Sequence, residues 1–502
     1  MTADSATQAV LPLGGENVVV VLGAGAAGLV AAVSAAECGA TVLVLDRSPA
    51  CETSGPLASN TALSTGLIPA AATYLQQDAG ILDDSWELLA GDILHENGQS
   101  AADLVRRTAE AAAGVVEWLA RRLPQGALVC MTDFLYPGHS RLRMHGPSSG
   151  YGRRFQEDLL RLAKAEPRVS LRSGVSVEGL ASSSADGYED TGRRCVQVRG
   201  LRLATGEVIQ AAAVVLATNG FGANNQMVKR HLGAGVAEGL YLGSPLNTGE
   251  GLRFAMELGA VTERMGAYQG HASVAAPDGP LVTWGVVVNG GVLVDKAGHR
   301  FGNELVGYSA FSERMMQLPG AEALEVFPAA CYDACRGTRF EEVVEAGKVE
   351  TFPTLDALCA AHGVPVQGLL ATLKEVVAAR GGEDSFGRPW PVEGPWVFGP
   401  SGDLAGPVYA IRVRAALFHT QGGLKTDTAG RVQGASDSVS IRGLYAAGGT
   451  AAGLSGEGAE GYLSGNGLLH AVVSGRWAGV SAAEEAAARI AARPSPVPVP
   501  RL

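Results

Sequence analysis

The run Gly23-Ala-Gly25-Ala-Ala-Gly28 constrains this chain more than any other stretch, because of what stands on either side of it. Before it lies Val-Val-Val-Val-Leu at 18–22, a continuous apolar run of the kind found in strands covered on both faces of a parallel sheet. After it, an alanine-rich stretch from Ala26 to Cys38 reads as a helix, with Gly39 placed to close its C-terminus. Thr41 to Leu45 then forms a second β-branched run that ends at Asp46. In this strand–turn–helix–strand setting each glycine has a task. Gly23 permits the tight turn, Gly25 lets backbone approach a pyrophosphate, and Gly28 allows the helix to pack closely on the strand. Free N–H groups and partial positive charge at the helix N-terminus favour phosphate, and Asp46 is placed for ribose hydroxyls. The spacing predicts a dinucleotide-binding βαβ unit.

Farther along, helical period marks 100–123 and Arg153 to Glu166. From Val169 to Val215, short alternating runs split by Gly and Asp predict an antiparallel meander returning to the parallel sheet. Residues 251 to about 404 change to mixed helices and loops, strand texture returns at Tyr409 to Ala415, and a long amphipathic helix is expected from about Gly465 to Ala492. The reading is an α/β chain in which 1–250 and 405–492 build one discontinuous dinucleotide-binding domain. Residues 251–404 form an inserted α+β capping domain, and 493–502 a proline-rich flexible tail.

Composition narrows the function classes. A chain of 502 residues with 47% hydrophobic residues is a folded, enzyme-sized protein. Its 39 Lys and Arg against 50 Asp and Glu leave −11, which offers no electrostatic footprint for nucleic acid. The seven cysteines are odd in number, scattered and without a CxxC pair, which fits a reducing cytoplasm. Neither an export signal nor an apolar window of membrane-spanning length is apparent. Cys331 and Cys335 read as ordinary buried thiols, and His139 and His145, flanking Arg141 and Arg143, as a solvated basic patch, so no metal site is expected.

Two distant segments decide between the dinucleotides. Ala213-Val-Val-Leu-Ala-Thr-Asn-Gly220 and Ile441-Arg-Gly-Leu-Tyr-Ala-Ala-Gly-Gly449 are further apolar strands ending in glycine, late returns to the sheet that an NAD domain does not need. With them the chain resembles, from about Val18 to Gly479, the fumarate reductase and 3-ketosteroid 1-dehydrogenase group of FAD-dependent oxidoreductases. The resemblance implies a Rossmann-like FAD-binding domain, with parallel sheet and β-meander, beneath the capping domain. It assigns to FAD the residues Gly23, Gly25, Ala26, Gly28, Asp46, Arg47 and Val175. To these it adds Asn60, Thr61, Ala62, Ser64 and Gly66 from a loop along the flavin, the strand ends Ala217, Thr218, Asn219, Gly220, Gly448 and Gly449, and Ser464 with Asn466. No histidine occupies the Ser59–Gly66 loop where some members attach FAD covalently, so the cofactor is expected to be noncovalent. Two departures stand out: Asn219 replaces a usual Gly, and Gly449 stands where many members carry a ribityl-binding Glu.

The same resemblance organises the chemistry. In fumarate reductases a His, a Thr and a later His-Thr hold the substrate carboxylates, and His271, Thr283 and His419-Thr420 match them. Donors of these types suit an anionic or carbonyl oxygen. The proton-donating Arg of that group is replaced by Tyr308, four residues after Glu304, and the second substrate-clamping Arg by Tyr462. The Glu and Arg that feed protons correspond to Trp284 and Val287, which cannot relay one. Without both arginines a dicarboxylate lacks its bidentate partners. Tyrosines at these two places match the ketosteroid dehydrogenases, in which one Tyr abstracts a proton α to a ketone, a second bonds the ketone oxygen and a third assists. The resemblance thus implies Tyr308 as base and Tyr462 as donor, with Tyr136 the candidate for the third and Tyr151 its rival. An ordinary tyrosine holds its proton at pH 7, so the base needs a neighbouring donor, for which His419 is the candidate. The expected reaction introduces, or in reverse reduces, a C=C bond α,β to a ketone or carboxylate, with a small-molecule substrate and an unidentified electron acceptor or donor. An ene-reductase acting on an unsaturated oxo-acid or monocarboxylate, and a flavin-binding electron-transfer protein without turnover, are the alternatives.

Overall fold

The computed structural model describes residues 15, 17–49, 59–188, 194–400, 404–435 and 439–491. The N-terminal segment, Cys51 and the proline-rich tail lie outside the described residues.

Five parallel strands form the central sheet, in the order Leu444–Ala446, Ala213–Leu216, Val18–Leu22, Thr41–Leu45 and Val169–Arg172. The first strand is apolar at every position because both of its faces are covered. Val19 and Val21 pack with Leu29 and Val30 of the helix Ala26–Glu37, whereas Val18, Val20 and Leu22 face a second core containing Leu201, Leu203, Leu252 and Phe254. The glycine turn does what its spacing implies. Gly23 has φ of +109°, and a Cβ on Gly28 would sit 1.9 Å from the Gly23 carbonyl oxygen, so only glycine lets the helix start there. Gly39 follows the helix with φ of +91°.

The meander is real but begins later than expected. Val177–Tyr188, Arg194–Leu203 and Val208–Gln210 pair antiparallel, whereas Val169–Arg172 is the edge strand of the parallel sheet beside Thr41–Leu45. Both kinds of strand read as short alternating runs, and pairing across long sequence separation decided between them. The closing helix Asn466–Ala491 is less amphipathic than expected: Val472, Val473, Ser474 and Gly475 are buried in succession where it crosses the first helix.

The second unit is a six-stranded sheet built on one long strand, Val408–Thr420. That strand pairs with Glu322–Pro328, Tyr268–Ala275, Glu350–Phe352 and Leu240–Tyr241. The return expected at Tyr409 to Ala415 therefore belongs to the second sheet. Conversely, the helix Glu250–Glu257 packs its Leu252 and Phe254 into the core of the first unit. A division at 250 and 405 gives that helix to the second unit and the strand Val408–Thr420 to the first, whereas their packing and pairing run the other way.

Candidate functional site

A cavity of about 940 Å³ lies between the two units. One end is lined by Gly23, Gly25, Ala26, Asp46 and Arg47, continuing along Asn60, Thr61, Ala62 and Ser64, with Val175, Ala217, Thr218, Asn219, Gly448 and Gly449 around it. The other end is lined by His271, Thr283, Tyr308, His419, Thr420, Tyr462 and Tyr136. Residues spread over more than four hundred positions of sequence therefore share one space, large enough for a dinucleotide and a small substrate. Gly28, Gly66, Gly220, Ser464 and Asn466 do not line it. Gly28, Gly66 and Gly220 each face a neighbour so close that a Cβ would lie within 3 Å of it: backbone for the first two, the Thr420 hydroxyl for Gly220.

At the dinucleotide end, Asp46 accepts the amide protons of Ala24 and Ser48, both at 2.7 Å. Burial pushes its carboxyl up while these two amides pull it back. Arg47 is turned away to the Leu246 carbonyl at 2.6 Å and to Glu250, so it braces the loop beside the helix Glu250–Glu257. The two departures noted above explain one another. A Cβ on Gly449 would sit 2.2 Å from Asn219 Oδ1, so the Asn219 side chain fills the room that a residue larger than glycine would take at 449. Toward the middle of the cavity, His470 is buried, lines the wall and has no partner for either ring nitrogen among the described residues. Burial holds it neutral, with its pKa pushed down to about 4. A ligand carrying hydrogen-bonding ring atoms, as an isoalloxazine does, fits that orphaned pair.

The substrate end is ordered by a buried ion network. Arg300 and Glu304, expected only to set register, pair at 2.6 Å, and Arg388 joins Glu304 at 3.0 Å while Asp384 binds Arg300. This network anchors the turn through Gly307, φ +104°, that starts the helix Tyr308–Met316 at Tyr308. The hydroxyls of Ser464 and Tyr462 stand beside the Tyr308 oxygen and pull its pKa down against burial. The backbone N–H groups of Gly465 and Gly467, where the closing helix begins, lie beside the Tyr462 hydroxyl and lower its pKa against burial. Burial pushes Tyr308 up to about 12 despite the two neighbouring hydroxyls, and raises Tyr462 well above the ordinary tyrosine value.

His271 stacks on Tyr308 with ring centroids 4.6 Å apart, and Trp284 meets both rings edge-on at 6.0 and 6.4 Å. Its Nδ1 accepts the Ser273 amide at 3.0 Å, which leaves the proton of the neutral ring on Nε2. His271 is held neutral, down at about 3, by burial and by the nearby Arg339 charge. Thr283 lines the wall, and the Thr420 hydroxyl accepts the Phe221 amide at 3.2 Å.

Two expectations need correction. His419 does not activate Tyr308: its ring stands edge-on to Tyr462 at 5.7 Å, it is bonded to the Gln421 amide at 2.9 Å, and burial keeps it neutral at about 4. The hydroxyls of Ser464 and Tyr462 stand beside Tyr308 instead, a place no motif spacing announced for Ser464. Nor are His139, Arg143 and His145 a solvated basic patch. Arg143 is 1% exposed and pairs with Asp84 at 2.9 Å and Asp92 at 2.6 Å, and His145 bonds Thr73 at 2.8 Å. His139 bonds the Ser464 carbonyl at 3.0 Å and so braces the residue that reaches Tyr308. Between the rival tyrosines, Tyr136 lies near enough to Tyr308 for their charges to interact, whereas Tyr151 sits under Arg339. Among the described residues no His, Cys, Asp and Glu cluster suits a metal ion, and no helix is long and apolar enough to cross a membrane.

The fumarate reductase (cytochrome) of Shewanella frigidimarina is 30% identical over 470 residues, covering 93% of this chain and 77% of that protein. The 4-oxocyclohexanecarboxylate 2-dehydrogenase of Sinomonas cyclohexanicum is 28% identical, over 89% of this chain and 92% of its own length. The NADH:fumarate oxidoreductase of Klebsiella pneumoniae is 29% identical, and this chain spans about half, 48%, of it. Among solved structures, a flavocytochrome c3 fumarate reductase in an open conformation superposes with a TM-score of 0.72 at 28% identity, over 94% of this chain and 78% of that one. The 3-ketosteroid-Δ4-(5α)-dehydrogenase of Rhodococcus jostii does so with a TM-score of 0.68 at 25% identity, over 93% and 96%. Since the FAD binding domain family also matches residues 18–468, the chain belongs to that family and is an FAD-dependent oxidoreductase acting on CH–CH groups.

Proposed function

We propose that this enzyme catalyses α,β-dehydrogenation beside a ring ketone, with Tyr308 as the base. The observation that carries the reading is the cluster at Tyr308, where the Ser464 and Tyr462 hydroxyls stand beside its oxygen, the Tyr462 ring lies 6.5 Å from its own, and the Gly465 and Gly467 amides lie beside Tyr462. Such donors stabilise a phenolate, and they are of no use to a tyrosine that merely fills space. FAD, when bound along the Gly23 to Asp46 end, supplies a two-electron acceptor for the β hydride. Tyr308 takes the α proton onto its oxygen. The ketone oxygen, as it gains negative charge, accepts the one hydroxyl proton of Tyr462, which turns to it from Tyr308 and leaves Ser464 as the donor to the phenolate. The substrate thereby loses one proton and one hydride, and a C=C bond forms in conjugation with the ketone. His271 keeps its Nε2 proton as a neutral donor on the facing wall. The reverse reaction uses the same groups with Tyr308 as acid.

Two of the relatives named above oxidise next to a ring ketone by their names, which supports a cyclic ketone as substrate. Tyr308 and Tyr462 in place of two arginines speak against a dicarboxylate. The six described cysteines are all free, and a cytoplasmic location is part of the same proposal. Anaerobic addition of a panel of cyclic ketones to the oxidised holoenzyme tests the reading. At least one should bleach the flavin near 450 nm, a property of flavins generally, whereas fumarate should not reoxidise the reduced enzyme. Rapid reoxidation by fumarate with no bleaching by any ketone would replace this reading with the ene-reductase.

A further inference from the structure

The substrate end of the cavity holds a cation for which proton abstraction has no use. Arg339, next to the helix Phe340–Glu345 of the second unit, lines the cavity together with Gly337 and Thr338. Its Nε pairs with Glu342 at 3.2 Å, and its guanidinium lies over the ring of Tyr151, 5.5 Å from the centroid. Tyr151 comes from the first unit and lines the same cavity, so the contact spans the seam and fixes where the guanidinium points. Among the described residues, neither terminal nitrogen of Arg339 has an acceptor.

The surrounding wall makes this notable. Phe134, Phe418, Leu281 and Pro280 line it with apolar surface, and a neutral ketone such as a steroid calls for no cation there. A planar fork with free N–H groups on a partly buried wall matches a carboxylate. We propose that Arg339 is a specificity-determining residue that binds a carboxylate carried by the substrate away from its ketone, so that the preferred substrate class is the anionic cyclic oxo-acid. This rests on the ketone dehydrogenation argued above. It also meets a difficulty of that chemistry, because a substrate anion held near Tyr308 would oppose formation of the phenolate unless a cation neutralised it. The charge of Arg339 already reaches His271 and Tyr136, which places it close enough to do so.

Binding tests the site without turnover. The oxidised holoenzyme is titrated with 4-hydroxybenzoate and with the neutral 4-hydroxybenzamide, following the flavin absorbance, for the parent, Arg339→Gln and Arg339→Lys. The parent should prefer the carboxylate, and Arg339→Gln should shrink that preference by about 10- to 100-fold, the usual worth of a hydrogen-bonded charge pair. Arg339→Lys should keep part of it. Retained yellow colour and an unchanged melting temperature confirm that the variants fold. An equal preference in parent and Arg339→Gln overturns the proposal, as does failure of the parent to bind the carboxylate more tightly than the amide. The two readings fail separately. If no ketone bleaches the flavin yet the preference collapses in Arg339→Gln, the carboxylate site stands and dehydrogenation falls. If ketones bleach it and the preference is unmoved, the reverse holds.

Discussion

Asn219 and Gly449 show how two departures from a family pattern become one structural statement. Each alone looks like a lost cofactor contact, but Asn219 Oδ1 occupies the place where a Cβ on residue 449 would lie, 2.2 Å away. Asn219 also sits at φ +63°, a conformation glycine adopts more easily, and its side chain bonds the Gly220 amide at 2.8 Å. Gly449→Glu alone should therefore weaken FAD retention and stability, and Asn219→Gly in the same chain should recover much of both. A double-mutant cycle by thermal unfolding of the holoprotein should give a coupling of about 1–3 kcal/mol. Simple additivity would contradict the packing account. The cluster at Tyr308 gives a second residue-scale expectation, in the pH dependence. As the proposed base Tyr308 would work deprotonated, and burial holds its pKa up at about 12, so its active fraction would grow as pH rises. In the dehydrogenation direction, log kcat/KM should climb by about one for each pH unit across the neutral and mildly alkaline range. A plateau beginning near pH 7 would mean that a different group takes the proton.

At the scale of elements, the Arg300 to Glu304 turn links sequence register to catalysis. Glu304 is fully buried between Arg300 and Arg388 and also accepts the Leu293 amide at 3.3 Å, so one carboxylate fixes three segments of the second unit. Removing it would leave the buried Arg388 without a carboxylate and Arg300 with Asp384 alone. Glu304→Ala should lower unfolding stability by about 3–5 kcal/mol, against little change for the exposed Glu345→Ala, measured by denaturant titration. A loss below about 1 kcal/mol would deny the network its anchoring role. Elements of this kind were also where the sequence was hardest to read. The strand Val18–Leu22 and its glycine turn were legible because local pattern alone specifies them. Val169–Arg172 and Val408–Thr420 were not, since alternating apolar runs fit a meander, a parallel edge or a second sheet equally well, and only long-range pairing separates them. The buried Arg143 was misread for a related reason: its neutralising Asp84 and Asp92 lie more than fifty positions earlier.

For the whole molecule, the site is a seam. Tyr308 arrives on a helix of the second unit, Tyr462 and Ser464 just before the closing helix, and Tyr136 from a loop of the first unit, so the proposed catalytic group is complete only when both units are in place. Motif spacing found Tyr308, Tyr462, His271 and His419, because each is tied to a short local run. It gave no sign that Ser464 stands beside Tyr308 or that Arg339 reaches the cavity, because neighbours drawn from separate segments leave no local pattern. The central claim is that the Tyr308 hydroxyl carries the α proton, and the direct measurement is the anaerobic rate of flavin bleaching by the active ketone, by stopped flow, in the parent and in Tyr308→Phe. The account predicts retained FAD, nearly unchanged substrate affinity and a rate lowered by about 10²–10⁴. Bleaching of Tyr308→Phe at the parent rate would contradict it.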